Sequence, residues 1–157
     1  MLKVSGCTIV RNGVKLKYPL EASIRTYYDL CDEVVVAYDP TSEDDTERLV
    51  RDLAVRLPKV RPVPSPWNTG NHEGGTEITI QSNVAVDACR GDWILYVQAD
   101  EAIHEGDHEA LRRAFERSDL HGVLFDRHSF LGTLDQEIPE YFAPQLLRLF
   151  RRGEGCV

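Results

Sequence analysis

Apolar residues fall along the chain in short blocks, and the period within each block separates strands from helices. Val4 to Val10 has the apolar, β-branched character of a buried strand, and "RNG" after it marks a turn. Pro19 opens a helical stretch in which Leu20, Ile24, Tyr27, Tyr28 and Cys31 share one face. "DEVVVAY" is a second buried strand. The loop "DPTSEDD" passes into a helix, with Ser42 and Asp45 spaced as a capping box. Leu49, Val50, Leu53, Ala54 and Leu57 line the core side of that helix. "KVRPVP" predicts a short third strand whose prolines suit a sheet edge.

Residues 64 to 75, "PSPWNTGNHEGG", form the most loop-like stretch. After it, Ile78, Ile80, Val84 and Val86 alternate as in a strand, while Ile80, Val84 and Ala88 fit a helical stripe. A helix from Thr76 to Cys89 is expected, because parallel strands need a crossover between them. Trp93 to Val97 is the central strand. Asp107 is placed to cap a fourth helix with Ala110, Leu111, Ala114 and Phe115 toward the core. "GVLFDRHSF" and "QLLRLFR" are further strands, separated by the irregular "LGTLDQEIPEYFAP". Strands alternating with helices imply an α/β domain with a mostly parallel sheet covered on both faces. Right-handed crossovers then gather the loops that follow the strands along one edge, where such sheets bind ligands.

Composition narrows the choice of ligand. The chain has 157 residues, 42% of them hydrophobic and 28% charged, enough for one globular domain with a core. Its net charge of −8 excludes general nucleic-acid binding but not a small anion in a local pocket. No apolar run is long enough to span a membrane, and "MLKVSGCTIV" is too short in its apolar part for a signal peptide. Cys7, Cys31, Cys89 and Cys156 match no zinc or redox spacing. They are expected to be thiols in a reducing cytoplasm.

Three strand ends should share the binding edge: Arg11 and Asn12 after the first strand, Asp39 after the second, and Gln98, Asp100 and Glu101 after the central one. In an extended segment Gln98 and Asp100 project together while Ala99 turns away. Two oxygen donors side by side suit Mg²⁺ or Mn²⁺, which keep waters and substrate phosphates as their other ligands. Asp39 can accept hydrogen bonds from a base or a sugar. Gly74 and Gly75 allow backbone to approach a ligand closely.

The segments "VSGCTIVRNG", "CDEVVVAYDPTSEDDTERLV", "SNVAVDACRGDWILYVQADEAIHE", "GVLFDRHSFLGT" and "LLRLFRR" follow one another over almost the whole chain. Together they resemble the nucleotide-sugar-binding part of glycosyltransferase family 2, with the GT-A fold, as one domain over residues 1–157. The resemblance implies that Asp39 contacts the nucleotide base and that Val10, Arg11 and Asn12 line the nucleotide. It places Gly75 and Asn83 at the helix before the metal motif. "QAD" stands where the family commonly has Asp-x-Asp, making Asp100 the metal and diphosphate contact, with Glu101 as its acidic neighbour.

Two departures accompany this match. Gln98 replaces the first aspartate and removes one negative charge, though its amide oxygen can still coordinate a cation or bond a ribose. The loop "DPTSEDDT" also departs from the family's "DDGSTDGT". Family members also usually continue beyond residue 157, so the resemblance implies an acceptor-binding part that is expected to be short or missing over these residues.

The resemblance thus implies a cytoplasmic hexosyltransferase-type enzyme. It would move a sugar from a nucleoside diphosphate sugar, a UDP-sugar first, to a glycan, lipid or protein acceptor, with inversion and with Mn²⁺ or Mg²⁺. Inversion needs a base opposite the leaving diphosphate, and Asp135, Glu137 and Glu140 in the irregular loop are the candidates. His104 is either a metal or phosphate contact or an ordinary loop histidine. Trp67 and His72 either face the donor or pack in their loop. Arg148, Arg151 and Arg152 either touch phosphate or, as expected here, guard an edge strand with charge. A silent nucleotide-sugar-binding module is the alternative. A nucleotidyltransferase is disfavoured, because "TIVRNGVKLK" lacks a phosphate-cradling loop.

Overall fold

The strands and helices form in the predicted order. The structure is a computed structural model describing residues 2–70, 75–130, 132–133, 135–138 and 145–153. The strands are β1 (Val4–Val10), β2 (Glu33–Tyr38), β3 (Val60–Pro64), β4 (Trp93–Tyr96), β5 (Gly122–Asp126) and β6 (Gln145–Arg151). The α-helices are α1 (Leu20–Tyr27), α2 (Thr46–Arg56), α3 (Thr76–Ala88) and α4 (His108–Glu116).

All six strands join one sheet in the order β3-β2-β1-β4-β6-β5. The first four run parallel, β6 runs antiparallel to β4, and β5 runs antiparallel to β6. The fold is α/β with a mostly parallel sheet between helices. One face is closed by α1, α2 and α4, whose Leu20, Ile24, Val50, Leu53, Leu111 and Phe115 pack on Val10, Val34, Val36 and Leu95. The other is closed by α3, with Ala85 against Cys7, Val35, Ile94 and Phe150. Trp93 is fully buried, and its indole N–H donates to the Phe115 carbonyl at 2.9 Å. Gly6 allows α1 to lie close, since a Cβ there would stand 2.9 Å from the Tyr27 ring.

β3 is an edge strand, as its prolines predict. Ser65 N–H donates inward to the Tyr38 carbonyl at 2.9 Å, so by alternation the nitrogens of Pro62 and Pro64 lie on the outer side.

Four local expectations are corrected. Ser42 and Asp45 do not form a capping box: α2 begins at Thr46, and Asp45 makes no side-chain cap bond. Asp44 Oδ1 instead accepts from Thr46 N–H at 3.0 Å, while Ser42 turns back to donate to the Asp39 carbonyl at 2.9 Å. Asp107 precedes α4 without a side-chain cap bond. Ala110 is exposed, the core side of α4 being carried by Leu111 and Phe115. Arg148 and Arg151 do not guard an edge, because β6 lies between β4 and β5. Cys7, Cys31 and Cys89 are buried free thiols, and Cys156 lies outside the described residues.

Candidate functional site

The parallel register sets the rim. Val10 lies opposite Tyr38 and Cys7 opposite Tyr96, so β1 ends between the ends of β2 and β4. Neighbouring strands stand about 4.8 Å apart, which puts the residues after β2 and β4 on either side of Arg11, about two strand spacings apart. Asp39 and the Gln98–Asp100 segment therefore flank one site.

Asp39 is 0% exposed, and its Oδ2 is 2.9 Å from Arg11 Nε, whose side chain is 25% exposed. This contact is ionic without hydrogen-bond alignment, so Oδ2 keeps an unused lone pair and Nε an unused proton. Oδ1 is saturated by Thr41, accepting from its N–H at 2.9 Å and its hydroxyl at 2.7 Å. Asp39 N–H donates to the carbonyl of buried Val10 at 3.1 Å, tying the two strand ends together. Asn12 sits at φ 50°, a left-handed conformation that asparagine tolerates. Its N–H donates to Ser42 Oγ at 3.2 Å, and its Oδ1 accepts from Glu43 N–H at 2.8 Å. The β1 turn and the β2 loop are thus laced into one wall.

After β4, Val97 N–H still donates to the Cys7 carbonyl at 3.0 Å before the chain turns. The predicted alternation appears in burial: Gln98 half-buried, Ala99 buried, Asp100 exposed. The turn closes on itself. Glu101 N–H donates to the Gln98 carbonyl at 3.0 Å, and Gln98 N–H donates to Glu101 Oε2 at 3.0 Å. Ser23 of α1 also donates to the Gln98 carbonyl, at 3.3 Å. Glu101 Oε1 receives Arg148 Nη2 at 2.5 Å. The Arg148 guanidinium lies 5.4 Å from the Tyr96 ring centroid. Tyr96 in turn shares its hydroxyl with Ser82 Oγ at 2.7 Å, and burial pushes its pKa up, keeping it a neutral phenol.

These contacts sort the predicted metal ligands. Asp100 carries an exposed carboxylate that makes no hydrogen bond or ion pair with another described residue. Gln98 offers an amide beside the Tyr96 hydroxyl. Both oxygens of Glu101 are engaged within the protein. His104 Nδ1 accepts from Gly106 N–H at 3.0 Å, opening a short 3₁₀ turn. Among the described residues no group of three or more potential ligands assembles. One free carboxylate with an amide oxygen fits a Mg²⁺ or Mn²⁺ ion that takes its remaining ligands from water and a bound diphosphate.

The loop after β3 is rooted beside Asp39 by two buried polar residues of α3. Gln81 meets Ser65 Oγ and donates to the Pro66 carbonyl at 3.2 Å and to Glu77 Oε1 at 2.7 Å. Glu77 Oε1 also receives Asn68 N–H at 2.9 Å. Neither residue stands out in the sequence, although their i,i+4 spacing on a helix was a usable signal. Trp67 packs on the α3-side core with its indole nitrogen buried. Gly75, at φ 74°, opens α3, and exposed Asn83 lies farther along it. His72 and Gly74 lie outside the described residues.

The antiparallel course of β6 starts it at the rim, so the stretch between β5 and β6 opens on the side of Asp100. Asp135 there is exposed. Glu137 is exposed with Oε1 2.6 Å from His128 Nδ1, and it bridges to Phe130. Glu140 lies outside the described residues. A cavity of about 290 Å³, lined by Asp92, His121, Arg151 and Arg152, sits at the other end of β4, away from these groups.

The family model described as Glycosyl transferase family 2 matches residues 19–155. No curated protein sequence matches the chain. Among solved structures, S. aureus TarS is similar with a TM-score of 0.63 at 19% identity, over 96% of this chain and 28% of TarS. Its 1–349 fragment gives 0.59 at 20% identity, over 96% of this chain and 47% of that one. The mannosyltransferase PcManGT from Pyrobaculum calidifontis, in complex with GDP-Man and Mn²⁺, gives 0.58 at 18% identity, over 77% of this chain and 34% of its own. The TarS fragment in complex with UDP gives 0.52 at 24%, over 72% of this chain and 31% of that one. The chain spans less than half the length of these structures.

Proposed function

The chain belongs to glycosyl transferase family 2, and on that premise we propose that it transfers a sugar from a nucleoside diphosphate sugar to an acceptor, with inversion and with a divalent metal. The observation that carries this reading is the pairing, on the strand ends to either side of β1, of a buried carboxylate, Asp39, with an exposed and unengaged one, Asp100. Structures similar to this chain are complexes with UDP and with GDP-Man and Mn²⁺, which supports a nucleotide-sugar donor and keeps a UDP-sugar as first choice.

In this reading the base lies against the wall of Val10, Arg11 and Asn12, and Asp39 Oδ2 accepts from a base N–H. Arg11 sits beside it, its Nε 2.9 Å from that oxygen, and fixes the carboxylate in place. Asp100, with the Gln98 amide oxygen, faces the diphosphate and holds Mn²⁺ or Mg²⁺, which supplies charge neutralisation to the departing diphosphate. Gly75 lets the start of α3 approach the donor without a side chain. Asp135, Glu137 or Glu140 removes the acceptor proton from the loop that opens on the same rim. Among the described residues no helix is long and apolar enough to cross a membrane, so no spanning segment enters this reading.

The test is calorimetric titration with UDP-, GDP- and dTDP-sugars, with and without Mn²⁺. Binding of one of them, strengthened by Mn²⁺, is expected; well-folded protein that binds none would end the proposal. A second reading, a donor-binding module without turnover, is favoured by Glu137, whose carboxylate is held by His128. Any measured sugar transfer or donor hydrolysis rejects it.

A further inference from the structure

Glu101 and Arg148 are 47 positions apart, yet they meet at the site through a single short ion pair. Both are largely enclosed, the side chains being 22% and 13% exposed. Glu101 is the centre of the contact: one oxygen receives Gln98 N–H and the other receives Arg148 Nη2. Arg148 stacks on the ring of Tyr96, the last residue of β4, and its Nε is buried without an acceptor. Its position is therefore set by the ion pair and the ring rather than by a saturated set of hydrogen bonds. The residue between these anchors whose side chain makes no hydrogen bond or ion pair with another described residue is Asp100.

We infer that Glu101 and Arg148 are a positioning pair that clamps the Gln98–Glu101 turn to β6 and thereby aims Asp100. A four-residue turn closed by one backbone bond has many accessible conformations, and fixing it in advance removes that ordering cost from ligand binding. The acidic neighbour in "QADE" thus acts through its own protein, leaving cation contact to Asp100 and Gln98. This rests on the donor-binding reading above for its effect on affinity, but the clamp itself is a property of the free protein.

Two readouts separate the two. Hydrogen exchange at the Gln98 and Glu101 amides is followed in the wild type, E101Q, R148M and R148K, together with UDP titrations with and without Mn²⁺. The two donors use separate Glu101 oxygens, and glutamine offers one acceptor oxygen and no charge for Arg148, so E101Q opens the clamp with little change of volume. Exchange at both amides is expected to rise about tenfold in E101Q and R148M. Mn²⁺-dependent UDP affinity is expected to fall about tenfold, as for other groups that support metal ligands, while metal-free UDP affinity holds. R148K, which keeps the charge but not the planar stacking, lies between. Should R148M fail to fold, E101Q alone decides. Unchanged exchange in E101Q overturns the clamp, and so does an equal loss of UDP affinity with and without Mn²⁺, which marks general unfolding of the rim. A wild type that binds no UDP removes the donor reading, and the exchange rates still decide the clamp.

Discussion

Arg11 and Asp39 meet across the ends of two neighbouring strands, Nε to Oδ2 at 2.9 Å, with the carboxylate wholly shielded from solvent. The pair closes one side of the rim and sets its electrostatics. Asp39→Asn keeps an acceptor for Thr41 but leaves Arg11 without its counter-charge. A loss of about 1–3 kcal/mol in urea denaturation is expected, the partial exposure of Arg11 keeping it below the full cost of a broken buried pair. Donor affinity measured by calorimetry should fall at least about tenfold, roughly one charged hydrogen bond.

Asp100→Asn should separate function from fold. Its carboxylate has no described partner, so the variant should unfold within about 0.5 kcal/mol of wild type. Stabilisation of wild type by UDP with Mn²⁺, read as a rise in Tm, should disappear in the variant. A variant that keeps the Mn²⁺ response removes Asp100 from the site.

Gly75 has φ 74° with open space around a would-be Cβ, so substitution there is limited by backbone and not by crowding. Gly75→Ala should cost about 1–2 kcal/mol in chemical denaturation, and Gly75→Asn less, since asparagine visits this region more readily. Equal stability of all three proteins would show that the start of α3 shifts to a right-handed conformation.

Glu21 joins α1 to α2 through a bidentate pair with Arg56, both N–O distances being 2.7 Å, and it also meets Arg25. Arg56 and then Arg25 hold its carboxyl down from the usual range to about 2. A depressed carboxylate pKa contributes stability that is present above the unfolded value, near 4.3, and is lost as pH falls toward 2. Wild type should therefore lose more stability than Glu21→Gln between about pH 4.5 and 2. Parallel urea midpoints for the two proteins across that window would show the pair to be neutral.

Burial pushes the Cys31 thiol up to about 12, and the Cys7 thiol is raised as well, by its contact with Cys89 and by burial. In native protein at pH 8 neither should react with a disulfide reagent over minutes, while both should react in urea. Fast native modification of Cys7 or Cys31, located by mass spectrometry, would mean that the sheet opens locally.

Much of this architecture was legible because the decisive signals are local. Trp93 to Val97 is too apolar to be anything but buried, and Ala99 is buried between half-buried Gln98 and exposed Asp100 as expected, although these residues form a turn and not an extended strand. α3 was harder for a physical reason: it buries Glu77 and Gln81 and exposes Ile78 and Ile80, the reverse of the usual pattern. Its polar side chains face inward because they satisfy the loop after β3, and no periodicity count reveals a partner on another segment. Ser42 and Asp45 had the right spacing for a cap, but the hydroxyl was already committed to the Asp39 carbonyl. The place of β6 beside β4 decided the fate of Glu101 and Arg148, and strand order is a property of the whole fold that a local pattern does not contain.

The outward-lying nitrogens of Pro62 and Pro64 carry a consequence for how copies of this protein meet. A foreign strand approaching β3 finds carbonyls there but lacks two of the amide hydrogens it needs, so it cannot zip along that border. Extension of the sheet into a filament or a strand-exchanged dimer must begin at β5, the opposite border.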